Sequence, residues 1–411
     1  MNPALDAATG ALHIAARGTP AGLVAVEVRN TRPAAAHALR GLEVAQACAR
    51  VPRLYSLCAH AQAGAARAAC AAAAGAAPDA AARRADEHAL AAESAREHLW
   101  RLMLDWPALL ALPPALQADW RARFAALYRR LATPAADASS STAGTHPACA
   151  GAPTTAGHGA LAARLAEDLS TLADELAATL PAALTSALDP PLLDSTPPAD
   201  HLDAPVAHAG LLTALLPALD ALACARRLAL DEAFAAAPQL DGLCRETGAL
   251  ARHHADAAVA AALAQGRRLA ARILARIADL RESARALAGE SRSTTRARSE
   301  LALPAPSPAP RIDACSPAPG VGLARVDSAR GLLIHQVRLA ARPDGEPACI
   351  ADYRIVAPTE WNFHPQGAFV REALATPPMS AAHRQRRLRA LALALDPCVA
   401  VSWSFEESGD A

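Results

Sequence analysis

Two isolated cysteines near opposite ends of the chain are the residues best suited to binding a metal. Cys58 stands in the segment RLYSLCAHAQ, and Cys398 stands in ALDPCVAVSW. The place where a second cysteine would complete a Cys-x-x-Cys pair holds Tyr55 in the first segment and Val401 in the second. Thiolates are soft ligands for zinc, nickel, iron and copper, and most sites need two to four ligands. The spacing predicts either two halves of a metal site or two small buried side chains, and by itself it favours the second.

Both cysteines are expected to lie in loops next to helices. Cys58 follows a Pro-Arg pair and enters a helix, and the positive end of a helix dipole lowers the pKa of a thiol. Cys398 follows a helical pattern and an Asp-Pro pair. Sequence spacing cannot bring the two thiols together, so a shared site requires a fold that joins the two ends of the chain.

The composition favours a helical protein with free thiols. The chain has 411 residues, of which 53% are hydrophobic and 19% charged, and Ala and Leu dominate the apolar set. This length is sufficient for two or three domains and a substantial core. The nine cysteines are scattered and odd in number, and no signal peptide is recognised. We therefore expect a reducing cytoplasm rather than a disulfide framework.

The charge balance argues against broad electrostatic binding. The formal net charge is +0, and every basic residue is arginine. Docking on nucleic acid or on an anionic membrane needs an excess of positive charge, so neither partner is expected. The most apolar internal run contains Pro217, Asp220 and two arginines. It is predicted to be a buried helix pair rather than a membrane span.

Periodicity predicts an α+β fold that is mostly α-helical, with a central helical bundle and small β-hairpins near both termini. The predicted segments are an N-terminal hairpin with helices and the Cys58 loop (1–131), a flexible insert (132–158), a helical bundle (159–290), a Pro/Ser-rich linker (291–320), and a C-terminal hairpin and helix that ends in the Cys398 loop (321–411). The insert and the linker are inferred from their Pro, Ser, Thr and Gly content.

Apolar spacing and proline positions predict the helix boundaries. The first helical pattern is predicted to break at Pro52, and a new helix is predicted to begin just after Cys58. An amphipathic helix is predicted over DAAARRADEHALAAESAREHLWRLMLDWP. Its apolar stripe contains Leu90, Leu99, Leu102 and Met103, and another stripe contains Glu93, Arg96 and Glu97. Further helices are predicted over 159–187, 208–236 and 240–288. The stretch RRLAARILARIADLRESARALA is predicted to be the longest continuous helix.

The remaining histidines and cysteines give weaker signals. His253 and His254 are predicted to lie on a solvated helix face, and His98 is expected to serve packing or to lie on the surface. Cys224 and Cys244 fall in predicted Ala/Leu helices and are expected in the core. We find no Gly-rich phosphate loop, nucleophile elbow or EF-hand in the sequence.

Five short stretches, taken in order, resemble the large subunit of nickel–iron hydrogenases. They are RGLE, RLYSLCAHAQA, ARGLLIH, YRIVAPTEWNFHPQG and DPCVAVSW. Each is modest alone, but their order and their placement at both ends around a helical middle make the match specific. The resemblance covers roughly residues 1–131 and 321–411 and implies a large-subunit-like fold.

The resemblance also implies roles for the two cysteines. In that family four cysteines bind a nickel–iron centre whose iron carries cyanide and carbon monoxide. By position, Cys58 matches a thiolate that bridges the two metals, and Cys398 matches one that binds nickel alone. Tyr55 and Val401 replace the other two cysteines, and Gln62 stands where a His is usual. The resemblance therefore implies a protein that is not an enzyme and in which nickel is not expected.

Other family positions are occupied by suitable residues. Arg330 matches an arginine that donates hydrogen bonds to a cyanide, and Pro358 and Thr359 match a pair that seats the diatomic ligands. A charge-assisted hydrogen bond to a buried anionic ligand stabilises by roughly 1.5–3 kcal/mol. Glu43 matches a position associated with proton transfer, and here we expect packing or a pair with Arg40 instead.

The same departures resemble accessory proteins of the HupK/HoxV type, which are large-subunit relatives that serve hydrogenase maturation. The resemblance implies a cytoplasmic scaffold that transiently holds an Fe(CN)2(CO) fragment during cofactor assembly. Its partners would be maturation chaperones and the precursor of the hydrogenase large subunit. A metal-free docking module that recruits the same chaperones is the alternative, and a degenerate hydrogenase large subunit is the least favoured.

Overall fold

The two ends of the chain meet in one sheet. The computed structural model describes residues 10–76, 79–132, 155–184, 188–190, 210–289, 311–340 and 348–407. Strands β1 (Ala11–Thr19) and β2 (Gly22–Asn30) form an antiparallel hairpin, which confirms the prediction, and β9 (Ala400–Glu407) pairs with β1 in parallel. The sequence did not predict β9. Because β9 begins just after Cys398, this sheet brings the second cysteine to the N-terminal part of the molecule.

A second sheet contains four consecutive antiparallel strands. They are β5 (Ile312–Ala318), β6 (Val321–Ser328), β7 (Gly331–Ala340) and β8 (Cys349–Val356), in that order across the sheet. The pairing of β7 with β8 confirms the predicted C-terminal hairpin, whose turn at 341–347 lies outside the described residues.

One part of the predicted linker is a strand. β5 lies within 291–320, and its Pro317 falls in an irregular stretch between Cys315 and Ala318 on an edge of the sheet. Because an edge strand pairs on one side only, a proline there removes little hydrogen bonding. The linker prediction is therefore wrong from Ile312 onward, and residues 290–310 lie outside the described residues.

Two helices flank the loop that carries Cys58. Helix α1 (Val44–Leu54) runs through Pro52 and ends two residues later, and α2 (Ala59–Ala73) begins directly after Cys58. The predicted break at Pro52 is wrong, because a proline near the end of a helix removes a hydrogen bond without ending the helix at once. The helix predicted after Cys58 is confirmed.

Small residues let α2 lie directly on the second sheet. A Cβ on Gly322 of β6 would lie 1.9 Å from the carbonyl oxygen of Ala69 and 2.5 Å from the amide nitrogen of Ala73. Only glycine permits so close an approach of two backbones. This contact fixes α2, and with it Cys58, relative to β6.

The amphipathic helix predicted upstream of residue 107 is confirmed as α3 (Ala80–Trp100), followed by a π-helical turn and then by α4 (Pro114–Ala132). Leu99 is buried as its position in the apolar stripe predicts. Glu93 lies outside that stripe and is nevertheless buried.

The central region is helical only in part. Helix α5 (Thr155–Ala183) is, at 29 residues, the longest described helix, and it packs on α10 (Arg268–Leu287). Helix α10 covers most of the stretch that was predicted to be the longest helix, so that prediction is wrong. Between them lie β3 (Ala214–Leu215), α6 (Ala221–Arg227), α7 (Glu232–Ala236), β4 (Arg245–Glu246), α8 (Ala249–His253) and α9 (Ala257–Ala264).

The predicted continuous helices over 208–236 and 240–288 are therefore wrong. Their buried leucines sit partly on loops, and apolar content alone does not distinguish a buried loop from a helix. Helix α5 also begins inside the predicted insert (132–158), of which 133–154 lie outside the described residues.

The C-terminal part adds α11 (Pro358–Asn362), α12 (Ala368–Leu374) and α13 (Ala381–Leu395), the last of which was predicted. The largest hydrophobic cluster joins α3, α5, α10 and α13 to the terminal sheet. The architecture is thus α+β and mostly helical, as predicted. None of the described helices combines the length and apolarity needed to cross a membrane.

Candidate metal centre

Cys58 is the last residue of a 3₁₀ turn and the N-cap of α2. The first amides of α2 do not face its thiol, because the Glu93 carboxylate of α3 accepts them at 2.7 Å from His60 and 3.0 Å from Ala61. The expected lowering of the thiol pKa is wrong. Burial, then the proximity of Cys398 and of Glu93, raises the pKa of Cys58 to about 12.

Cys398 is positioned by the end of α13. Asp396 adopts a left-handed conformation with φ 53° and ends the helix. Its buried carboxylate accepts hydrogen bonds from Arg101 Nε at 2.7 Å and Arg276 Nη1 at 2.7 Å, and it lies 3.4 Å from Arg330 Nε. Burial opposes ionisation, but these three arginines outweigh it and hold the pKa of Asp396 well below its ordinary value.

Two side chains contact the Cys398 sulfur. The Thr359 hydroxyl lies 3.1 Å from Sγ and accepts a hydrogen bond from the Cys398 amide at 3.2 Å. Arg32 donates from Nη2 to Sγ and from Nη1 to Glu360 Oε1, the latter at 3.1 Å. A predicted site residue, Thr359, therefore contacts a predicted ligand.

The structure brings the two cysteines together. Each influences the ionisation of its surroundings, since the presence of Cys398 contributes to the raised pKa of Cys58 and both thiols act on Arg32 and Arg330. The β1–β9 pairing delivers Cys398, and the packing of α2 on β6 delivers Cys58. The fold thus joins the two ends of the chain, as a site shared by the two cysteines requires.

Arg330 lies buried beside both thiols, in the turn between β6 and β7. Its Nη2 donates to Glu97 at 2.6 Å, while its Nε is buried without a hydrogen-bond partner. Burial lowers the pKa of Arg330, but Asp396, Glu97 and the two cysteines outweigh it, so the guanidinium stays charged. The Nε faces the Asp396 carboxylate at 3.4 Å, so Arg330 is a buried, charged donor that already pairs with Asp396 and Glu97.

Pro358 acts on the site through the backbone. It occupies the first turn of α11, where its fixed φ favours helix initiation, and it precedes Thr359 directly. Glu360 reaches back to the Ala357 amide at 3.1 Å. Pro358 thus orients the residues that touch Cys398, although the described contacts include none between Pro358 and either thiol.

Arg40 and Glu43 do not join this site. Arg40 is half exposed and pairs with Asp352 at 2.9 Å. Glu43 is the N-cap of α1 and forms a β-bridge with Cys349. The suggested pair between Arg40 and Glu43 is therefore wrong. Each residue instead contacts β8, Arg40 through Asp352 and Glu43 through Cys349.

Sequence reasoning missed a buried hydrogen-bond chain that ends at Cys58. Tyr353 OH lies 2.8 Å from His335 Nδ1, His335 Nε2 lies 2.8 Å from Gln62 Oε1, and Gln62 Nε2 donates to Cys58 Sγ at 3.6 Å. Burial lowers the pKa of His335 to about 3, so the imidazole is neutral. A neutral ring with its proton on Nε2 accepts from Tyr353 and donates to Gln62, which leaves the Gln62 amide to donate to sulfur.

Arg32 was also missed, because nothing in NTRP signals a role. Its backbone is held by the start of β1: a Cβ on Gly10 would lie 2.4 Å from Arg32 Cα, and Thr31 Oγ1 accepts from the Ala11 amide at 3.0 Å. Only the pairing of β1 with β9 shows that Arg32, which follows the β1–β2 hairpin, contacts Cys398.

A cavity of about 410 Å³ opens beside the thiols. Its lining includes Arg32, Tyr55, Thr359 and Glu360, which also surround Cys398. Burial raises the pKa of Tyr55 to about 12, so the phenol stays protonated. The cavity has the volume of a small-molecule site, and its lining includes residues that contact Cys398 but neither cysteine itself.

A second group of acidic and His residues proves to be structural. His253 is buried and bonded to Asp279 and Asp256 at 3.2 Å each, so the predicted solvated position is wrong. With Glu282, His253 and Asp279 have metal-ligand spacing. Arg252 nevertheless pairs with Asp279 at 2.9 Å, and its positive charge takes the place of a metal.

The other local predictions fared better. His98 is fully buried and lies 2.6 Å from Asp279, in agreement with a packing role. Cys224 and Cys244 are buried as expected. Cys224 lies in α6, but Cys244 lies outside the described helices, so the helix predicted for it is wrong.

Comparison with solved structures decides the fold family. A Ni-Fe-Se hydrogenase from Desulfovibrio vulgaris Hildenborough, in the reduced state, superposes with a TM-score of 0.61 at 16% identity, over 92% of this chain and 94% of that one. An NAD+-reducing [NiFe]-hydrogenase in the H2-reduced state gives 0.54 at 14% identity, over 92% and 93%. The fold is that of the nickel–iron hydrogenase large subunit. The resemblance inferred from the five stretches is confirmed.

Curated relatives are accessory proteins. The chain is 37% identical over 185 residues to the hydrogenase expression/formation protein HupK of Rhizobium leguminosarum bv. viciae, covering 45% of each chain. It is 46% identical over 102 residues to the hydrogenase expression/formation protein HoxV of Cupriavidus necator, covering 25% of this chain and 26% of HoxV. The matches span about half or less of these relatives. No protein-family model matches the chain.

The donor set does not fit a two-metal hydrogenase centre. Val401 lies in β9, in register with Leu12, and packs against the hydrophobic core, while Tyr55 offers a protonated phenol. Two thiols remain where the large-subunit fold implies four. Two thiols supply fewer protein ligands than a nickel–iron pair needs.

Proposed function

We propose that this protein is a non-catalytic maturation scaffold for nickel–iron hydrogenase. It transiently holds an Fe(CN)2(CO) fragment at Cys58 and Cys398 and passes it to the hydrogenase large subunit. The observation that carries the proposal is the meeting of these two lone cysteines, from opposite ends of the chain, beside the buried Arg330. The names of the curated relatives, hydrogenase expression/formation proteins, support a role in maturation.

Each residue has a chemical task in this proposal. Cys58 and Cys398 supply sulfur ligands, and because the pKa of Cys58 is about 12, binding must displace its proton. Arg330 and Thr359 offer donors to the cyanide and carbonyl ligands. A charge-assisted hydrogen bond from Arg330 contributes roughly 1.5–3 kcal/mol, enough to orient the fragment.

Weak retention suits a protein that must release its cargo. Two protein ligands hold a metal less firmly than four, and the adjoining cavity gives the fragment a route to and from the site. The partners in this proposal are maturation chaperones and the large-subunit precursor, in the cytoplasm. A partner can also complete the iron coordination while the fragment is transferred.

A metal-free docking module is the second candidate. Leu54 and Leu57, directly before Cys58, are 42% and 43% exposed, which leaves apolar surface on the Cys58 loop. Such surface suits a partner protein whether or not the thiols bind iron. The two candidates differ in whether Cys58 itself is needed.

Infrared spectroscopy with metal analysis tests the proposal. Protein purified without oxygen from cells that make hydrogenase should show cyanide and carbonyl bands, with iron and without nickel. Cys58→Ala should lose the bands, the iron and hydrogenase maturation. Cys315→Ala, which removes a partly buried thiol on β5, is the matched control and should keep all three.

Two outcomes would contradict the scaffold. If Cys58→Ala supports maturation as well as the wild type, the protein serves as a docking module. If iron and nickel are found together with the bands, the hydrogenase interpretation is favoured instead.

A further inference from the structure

The Arg32 guanidinium is fixed between Cys398 and Glu360. Nη2 donates to Cys398 Sγ, Nη1 donates to Glu360 Oε1 at 3.1 Å, and only 13% of the side chain is exposed. Asn30 Nδ2 donates to the same Glu360 oxygen at 3.2 Å, and the Arg32 amide donates to Asn30 Oδ1 at 3.0 Å. The guanidinium therefore has a prepared position against the sulfur.

The backbone of Arg32 cannot easily retreat from that position. Gly10 approaches its Cα so closely that a Cβ there would lie at 2.4 Å, and the Thr31 amide donates to the Ala11 carbonyl at 2.9 Å. Strand β1 thus anchors the residue. A mobile surface arginine would swing away from an approaching cation, but a held one must repel it.

We infer that Arg32 determines the metal specificity of the two-cysteine site. Its guanidinium occupies the side of Cys398 on which a second metal would bind, so that the two thiols accept one iron fragment and exclude a free divalent cation. This inference rests on the proposed function, because it explains how a site with thiol ligands discriminates between its cargo and nickel.

The discrimination follows from charge. Iron(II) with two cyanides and one carbonyl is formally uncharged, and Arg32 does not repel it. Once two thiolates bind the fragment the complex carries negative charge, which Arg32 and Arg330 stabilise. A free Ni2+ ion brings two positive charges next to a fixed guanidinium, which repels it.

Anaerobic titration of the reduced, full-length protein with Ni2+, in competition with a chromophoric chelator, tests the inference. Arg32→Met should bind Ni2+ at least 10-fold more tightly than the wild type. Combining it with Cys398→Ala should remove the gain, which assigns the gain to this sulfur. Arg29→Met is the matched control: it removes an exposed arginine that lines the same cavity, and it should leave the affinity unchanged.

A double variant tests whether a gain in Ni2+ affinity comes from Glu360 rather than from the loss of the Arg32 charge. Arg32→Met leaves Glu360 without its cation, and that carboxylate could itself bind Ni2+. Arg32→Met combined with Glu360→Gln removes both charges, leaves no unpaired buried ion that would endanger folding, and should keep the gain. Arg32→Lys retains the charge and should stay within about twofold of the wild type.

Three results would overturn the inference. They are an unchanged affinity in Arg32→Met, a gain that disappears with Glu360→Gln, and an equal gain in Arg29→Met. Infrared bands of bound cyanide and carbonyl are measured separately from Ni2+ affinity. The proposed iron scaffold can therefore be disproved while nickel exclusion by Arg32 is confirmed, and nickel exclusion can be disproved while the scaffold is confirmed.

Discussion

At the scale of single residues, neighbours from other helices decide the chemistry of Cys58. A cysteine at a helix N-terminus ordinarily has a lowered thiol pKa, but here Glu93 accepts the first amides of α2 and adds a negative charge near the sulfur. Burial raises the pKa of Glu93 itself to about 7. The thiol is thereby kept protonated near neutral pH.

The raised pKa of Glu93 predicts a pH-dependent stability. A carboxyl that ionises less readily in the folded chain than in the unfolded one costs stability as the pH rises between the two values, about 4.5 and 7. Over this interval the wild type should lose up to about 3 kcal/mol relative to Glu93→Gln. Urea unfolding of both proteins at pH 4.5 and pH 8 measures the change, and a constant difference would contradict it.

At the scale of elements, the end of α13 is the joint that directs the chain into the site. Asp396 ends the helix and connects it to α3 through Arg101, to α10 through Arg276 and to the β6–β7 turn through Arg330. Helix, turn and sheet are therefore held at one carboxylate. Cys398 follows two positions later, so any change in the position of Asp396 also displaces Cys398.

Removing the charge of Asp396 should loosen this joint. Asp396→Asn keeps the shape but leaves three arginines without their shared anion, and breaking such a buried network costs about 3–5 kcal/mol. Thermal and denaturant unfolding measure the loss. Asp105→Asn removes a more exposed carboxylate that pairs with Arg101 at 2.5 Å, and it should cost less than about 1 kcal/mol. An equal loss of stability in the two variants would contradict the role of Asp396 in holding these elements together.

At the scale of the whole molecule, the site exists because the first and last strands pair. Strand β1 brings Arg32 through the hairpin, and β9, in register with β1 from Ala11 opposite Ala400, follows Cys398. Helix α12 packs against β2, and one hydrophobic cluster continues from the terminal sheet into α3, α5 and α10. Neither end carries a site alone, since one supplies Cys58 and Arg32 and the other Cys398 and Thr359.

Deleting β9 should separate the cysteines without unfolding the helices. A chain that ends at Val399 loses the β1–β9 pairing, whereas a chain that ends at Glu407 keeps every described strand and is the control. A short bifunctional thiol reagent should link Cys58 to Cys398 in the control and not in the shorter chain. Mass spectrometry of the linked peptides gives the answer, and equal linking in both chains would show that β9 is not needed.

The sequence by itself determined the parts that depend on local pattern and on short motifs. Both hairpins, the helices α2, α3 and α13, and the family resemblance carried by five stretches could all be predicted. The resemblance assigned Cys58 and Cys398 to one site, which spacing could not do, and in the fold both thiols act on Arg32 and Arg330. That they bind a metal stays a prediction.

The tertiary structure alone decided which polar side chains face those cysteines. Arg32, Glu93 and the Tyr353–His335–Gln62 chain have no periodic or motif signal, since their roles arise from contacts between elements far apart in sequence. A buried His253 and a strand in a Pro-rich segment were mispredicted for the same reason. Whether a polar group is solvated or buried depends on the partner that satisfies it, and that partner is known only once the chain is folded.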